Sequence, residues 1–256
     1  MIFWYNIMNC YNDKKRGNAY MKNFAVRKPI VFELILIIVS FILTVIASLP
    51  FQILYFPVEL TMALARIIVG CLLFVVFLYC FKKDRQFSSI AIALPALLFV
   101  IWNIANHFMT GGTFNAPDLE TIILAAAPAV LEEVLFRDIF IYHLKENGMK
   151  PLMIAVISAL LFALSHLSNA INGNLLQALI QTVYAFVIGF VFGTVYTKTD
   201  DLMTLILIHG AIDLSSRIFE SAAVTPVYVI VLFIILLILE TAYALWLSLK
   251  KDEKRS

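Results

Sequence analysis

The stretch LETIILAAAPAVLEEVLFRDIFIYH, residues 119–143, has the length and apolar content of a membrane-spanning helix, yet it carries Glu132, Glu133, Arg137 and Asp138 within it or at its edge. A charge at the bilayer centre costs roughly 2.5–3.5 kcal/mol on insertion scales, so such residues are functional candidates by default. Neighbours on a helix point about 100° apart, so the two glutamates cannot share one task. Glu133 lies four residues before Arg137, the acid N-terminal to the base, which is the favourable order for a helical ion pair. Glu132 falls well round the helix from Arg137. It is therefore the freer carboxylate and the better candidate for a base facing a cavity. Pro128 lacks an N–H and crowds the carbonyl of Leu124, which predicts a kink just before the glutamates. The small residues Ala125–Ala127 allow a close helix approach there.

The rest of the chain agrees with a membrane setting. Of its 256 residues 62% are hydrophobic and 14% charged, and the mean hydropathy is +0.93; a soluble domain of this size is nearer about 25% charged. Windows of about 20 apolar residues fall at 30–49, 60–81, 88–108, 119–143, 151–169, 175–197, 202–218 and 226–249. The fold class expected is all-α, a polytopic membrane helix bundle with about eight transmembrane helices. Residues 1–28 read as a cytoplasmic N-terminal tail, 29–250 as a single membrane-embedded domain with its functional core at about 85–220, and 251–256 as a second cytoplasmic tail. All of the 19 Lys and Arg residues except Arg66, Arg137 and Arg217 lie in the tails or in the loops near 82–87, 144–150 and 198–201. The positive-inside rule then puts both termini in the cytoplasm of a multi-pass integral membrane protein, with the cell membrane the expected location. Cys10, Cys71 and Cys80 have no metal-site spacing and no disulfide pattern. Gly189 and Gly193 form a Gly-x-x-x-Gly helix-packing signal.

Two further spans carry polar stripes. Ser158, Phe162, His166 and Asn169 recur at helical spacing, while His209 and Asp213, four apart, share a face that Ser216 and Arg217 continue. A carboxylate one turn from an imidazole can fix its tautomer. At about 1.5 Å per residue, Glu132 and His209 lie roughly 11–16 Å below the cytoplasmic surface and His166 about 5–10 Å deeper. Tilt, a kink or an early helix end has to close that gap, and the count places the cavity nearer the cytoplasm. His107 and His143 read as core or interface histidines.

The motifs Glu132-Glu133-Val134-Leu135-Phe136-Arg137, Phe162-Ala163-Leu164-Ser165-His166 and His209-Gly210-Ala211-Ile212-Asp213 match Glu-Glu-x-x-x-Arg, Phe-x-x-x-His and His-x-x-x-Asn/Asp in order on separate spans. In this the chain resembles the CPBP family of intramembrane proteases, also called Abi, which includes CAAX prenyl endopeptidases and proteins of bacteriocin processing and self-immunity. The resemblance implies an intramembrane endopeptidase acting on a membrane-associated peptide or protein, with Glu132 activating water, His166 and His209 assisting, and Glu133, Arg137 and Asp213 completing the site. The lipid bilayer is the other expected partner; no nucleic-acid partner is expected. The family name implies a metalloprotease, so a divalent metal such as Zn is a candidate cofactor, with Glu132, His166, His209 and Asp213 as its candidate ligands. The histidines could equally act without metal as donors to an oxyanion. No His-Glu-x-x-His pair is present, so separate helices would have to assemble a metal site. Two rival functions remain at this point: an ion-coupled transporter, and a non-catalytic immunity or binding protein.

Overall fold

The computed structural model describes residues 23–81, 90–171, 173–222 and 225–250. The two tails, the loop at 82–89, and with them Cys10 and the lysines and arginine at 82, 83 and 85, lie wholly or largely outside the described residues. Nine α-helices make up the bundle: α1 (Pro29–Ile53), α2 (Val58–Phe81), α3 (Leu98–Thr110), α4 (Leu119–Glu133), α5 (Phe140–Glu146), α6 (Pro151–Ser165), α7 (Leu175–Thr199), α8 (Leu202–Ile218) and α9 (Val227–Leu249). Short 3₁₀ turns lead into α3 and extend α6, and a π-helix, Val134–Ile139, joins α4 to α5 without a break.

Among the described residues five segments are long and apolar enough to cross a membrane: Pro29–Ile53, Val58–Tyr79, Pro151–Ala170, Leu175–Thr199 and Val227–Leu249. The protein is an integral membrane helix bundle. Residues 94–110, 119–146 and 202–218 are shorter or more charged. Hydrogen bonds identify two ends of the bundle. At one, the Asn147 amide donates to Val26 O at 2.7 Å, Lys145 Nζ meets Asp200 Oδ1 at 2.9 Å, and Lys198 Nζ donates to Lys250 O at 2.6 Å. At the other, a one-residue antiparallel bridge pairs Phe114 with Phe219. Asn115 N donates to Ile218 O and Glu220 N to Thr113 O, so the segments leaving α3 and α8 are tied together. Among the described residues the first end carries Arg27, Lys28, Lys145, Lys150, Lys198 and Lys250.

Local chemistry explains the helix limits. Asp118 caps α4, accepting from Thr121 N at 2.7 Å. That backbone donor, with the Thr121 hydroxyl, holds the Asp118 carboxyl below its ordinary range and thus charged at the helix's positive end. Asn174 and Asp201 cap α7 and α8 in the same way.

Pro128 sits inside α4, and the departure from α geometry comes after the glutamates rather than before them. The π turn is held by its neighbours. Ser158 Oγ on α6 donates to Phe136 O at 2.8 Å, and Tyr196 on α7 donates to Asp138 Oδ1 at 2.6 Å. Asp138, which the sequence places at the edge of the span, is fully buried. π-bulges of this kind occur frequently at functional sites.

The Gly-x-x-x-Gly signal is realised between α6 and α7. A Cβ on Gly193 would lie 3.2 Å from both Cα and O of Ala155, and one on Gly189 would lie 2.9 Å from the Phe162 ring. Gly193→Val is therefore expected to force the two backbones apart and to destabilise the fold by about 1–3 kcal/mol, the usual range for overpacking. Thermal melting in detergent measures this, and an unchanged melt would show that the helices are free to separate.

Candidate active site

Glu133 ends α4, and the π turn that follows brings Arg137 back beneath it. The Arg137 Nε to Glu133 Oε2 distance is 3.2 Å, with both side chains fully buried. The ion pair expected from the spacing is therefore present. The guanidinium carbon lies 4.3 Å from the ring centroid of Phe162 and 5.7 Å from that of Phe192. This is a desolvated cation over aromatic faces.

The other oxygen of Glu133 is also committed: Oε1 lies 2.8 Å from His209 Nδ1. A carboxylate accepts, so Nδ1 carries the hydrogen, and the tautomer of His209 is set by Glu133 on another helix. Asp213, the carboxylate one turn along α8, does not do this. Its Oδ2 faces the opposite nitrogen, Nε2, at 3.8 Å. Glu132 Oε2 stands at the same 3.8 Å from Nε2. Its side chain keeps 26% of its exposure, whereas Glu133 keeps none. The two adjacent glutamates thus divide as the helical spacing requires. One is wholly engaged in holding Arg137 and His209, the other free toward open space.

His166 reaches the group from the end of α6. The α-helix stops at Ser165, and His166 opens a 3₁₀ segment through Ile171. His166 Nδ1 lies 2.9 Å from Phe162 O, so it donates to that carbonyl and leaves Nε2 as an acceptor. The Phe162 ring lies between the histidines, 4.8 Å from His166 and 6.1 Å from His209, ring centre to ring centre. Ser158 and Asn169 of the same stripe serve structure, on Phe136 O and on Gln181 Oε1.

His166, His209 and Asp213 form part of the wall of a cavity of about 820 Å³. Glu132 is not part of that wall, but it stands against His209 Nε2, which is. The cavity extends between α3, α7, α8 and the start of α9, and its exposed wall residues Asn174, Ser221 and Thr225 lie toward the end of the bundle where Phe114 pairs with Phe219. The depth count, which places the cavity nearer the cytoplasm and so toward the end with the basic residues, differs from this lining.

Asn103 and Asn106 on α3 are wall residues whose contribution the sequence reading missed. Asn103 Nδ2 donates to Ile212 O and Ser215 Oγ, which fixes α3 to α8. Two asparagines near the end of an apolar run were the available signal. His107 Nδ1 contacts Glu220 O at 3.1 Å, and His143 is packed among the rings of Phe32, Phe77 and Tyr142, both as expected of core histidines.

Of the four candidate metal ligands, His209 has Nδ1 bonded to Glu133 and turns Nε2 toward Glu132 and Asp213, each at 3.8 Å. As placed, no group of three or more His, Cys, Asp or Glu side chains among the described residues is gathered around an ion position. What the arrangement offers is a partly exposed carboxylate beside His209 Nε2, and two imidazoles of fixed orientation on either side of the Phe162 ring.

Fold and site together define a membrane-embedded helical bundle with a buried carboxylate–imidazole centre on α4, α6 and α8. Residues 115–215, which contain all three motifs, match the family model described as type II CAAX prenyl endopeptidase Rce1-like. Over that segment the chain is similar to this family, in agreement with the resemblance carried by its motifs. No curated protein and no solved structure matches the chain.

Proposed function

We propose that the protein is an intramembrane endopeptidase that hydrolyses a peptide bond of a membrane-associated peptide or protein, in CAAX-type processing or in bacteriocin processing and self-immunity. The observation that carries this is the division of labour between the glutamates, Glu133 spent on His209 and Arg137 while Glu132 stays free 3.8 Å from His209 Nε2. An oxygen placed about 2.8 Å from both Glu132 Oε2 and His209 Nε2 satisfies hydrogen-bond geometry to each, so a water fits at that apex.

Glu132 takes a proton from this water as it attacks the scissile carbonyl carbon. His166 Nε2, bare because Nδ1 donates to Phe162 O, accepts from the water's other hydrogen and orients it. As the attack proceeds, the Nε2–H of His209 passes from the water to the carbonyl oxygen that gains charge, while Nδ1–H stays bonded to Glu133. The proton on Glu132 then passes to the leaving amine as the C–N bond breaks. Positioned proton transfer of this type contributes about 10²–10⁴-fold, and one donor to an oxyanion about 10²–10³-fold.

The route proposed uses the chain's own residues alone, without metal. Dialysis against a strong chelator should leave activity intact with no bound metal by elemental analysis; loss of activity that zinc restores would contradict this route. The function is tested by comparing membrane proteomes of cells carrying wild type and His166→Ala. Truncated products present only with wild type are expected. Identical proteomes, with both proteins present at equal levels, would remove the protease reading in favour of a binding role.

A further inference from the structure

The direction in which the cavity opens can be read from the exposure of its wall. Along α7 the lining residues pass from exposed Asn174 and Gln177, through half-buried Gln181 and Tyr184, to buried Ala185 and Ile188. On the other wall Ser221 and Thr225 are exposed, while His209 and Ile212 are buried. The mouth therefore lies at the end where α3 and α8 terminate, and the imidazoles form its floor. That end is the one opposite residues 26, 147, 200 and 250.

Charge separates the two ends. Among the described residues the closed end carries six cations, Arg27, Lys28, Lys145, Lys150, Lys198 and Lys250, against Glu146, Asp200 and Asp201; the mouth end carries Glu59, Asp118, Glu120 and Glu220 against Arg217. Lysine and arginine accumulate in cytoplasmic loops, so the mouth end faces away from the cytoplasm. Between mouth and floor the wall is aromatic, with Trp102 stacked on Phe233 at 5.0 Å. Set into it are amides, among them Asn106, whose Oδ1 is buried without a hydrogen-bond partner. An extended peptide supplies both halves of that complement, apolar side chains for the rings and main-chain N–H groups for the amide oxygen.

We propose that the cavity takes its substrate from the outer, extracytoplasmic face of the membrane, and that this substrate is an apolar peptide segment with cationic flanks. The acidic mouth attracts such flanks and repels anionic ones. Hydrolysis of the segment rests on the function proposed above; the side of entry and the charge preference do not.

The test uses full-length protein in cells, with Cys10, Cys71 and Cys80 replaced by Ser and single cysteines introduced. Under a membrane-impermeant maleimide, Ser221→Cys and the outer-turn control Tyr55→Cys should label in intact cells, and Lys150→Cys only after permeabilisation. Gln177→Cys serves at the mouth if Ser221→Cys does not accumulate. Labelling of the mouth cysteine only after permeabilisation would overturn the proposal. A synthetic Leu- and Lys-rich peptide added outside should slow labelling of Ser221→Cys several-fold without slowing Tyr55→Cys, and a Leu- and Glu-rich peptide of the same length should not. No slowing, equal slowing by both peptides or equal slowing at both positions would overturn the cationic substrate. Since labelling needs no hydrolysis, an inactive enzyme leaves these outcomes readable, and an active one does not guarantee them.

Discussion

Arg137→Ala is expected to cost roughly 3–5 kcal/mol of stability, the range for removing one partner of a buried pair, and so to reduce accumulation of the folded protein as well as activity. Arg137 is fully buried and ion-paired to Glu133, with its guanidinium against Phe162 and Phe192. Truncation leaves Glu133 charged in a low-dielectric interior with only His209 Nδ1 to meet it. It also empties the space over two aromatic faces, one of which, Phe162, sits against both histidines. Glu133→Gln and Arg137→Gln should each destabilise, while the double change, which removes both charges at once, should recover much of the loss. Thermal melts in detergent on wild type, the two singles and the double measure the coupling. Strictly additive singles would show that the pair carries no interaction energy.

Much of this was legible in the chain because helical periodicity links residues three and four apart. The Glu133–Arg137 pair, the separate face of Glu132, and the shared face of His209 and Asp213 all follow from it. The close approach of α6 and α7 at Gly189 and Gly193 follows from the absence of side chains. Contacts between helices were not legible. That Glu133, and not Asp213, sets the His209 tautomer depends on how α4 meets α8, which no spacing within α8 encodes. The π turn at Val134–Ile139 was hidden for a related reason. It is held by Ser158 and Tyr196 from two other helices, and Pro128, the residue that signals irregularity, is tolerated inside α4. The mouth of the cavity is likewise a property of the assembled helices, which depth counted along each span does not encode.

Glu132→Gln is expected to behave in the opposite way to Arg137→Ala. The side chain is partly exposed, and its Oε2 lies 3.8 Å from His209 Nε2, beyond hydrogen-bond reach. Little packing therefore depends on its charge, and glutamine keeps its shape. What is lost is the group that takes the proton from water, and with it about 10²–10⁴-fold in turnover. Residues acting as one unit fail together, so adding His209→Ala to Glu132→Gln should reduce the rate far less than the product of the two single effects.

The most direct test is a paired measurement, cleavage rate and thermal melt, on Glu132→Gln and Glu133→Gln with a substrate identified from the membrane proteome. A wild-type melt with near-complete loss of cleavage for Glu132→Gln, and a lowered melt for Glu133→Gln, is the expected result. Near-normal cleavage by Glu132→Gln would contradict the assignment of Glu132 as the base, and with it the account of how this site breaks a peptide bond.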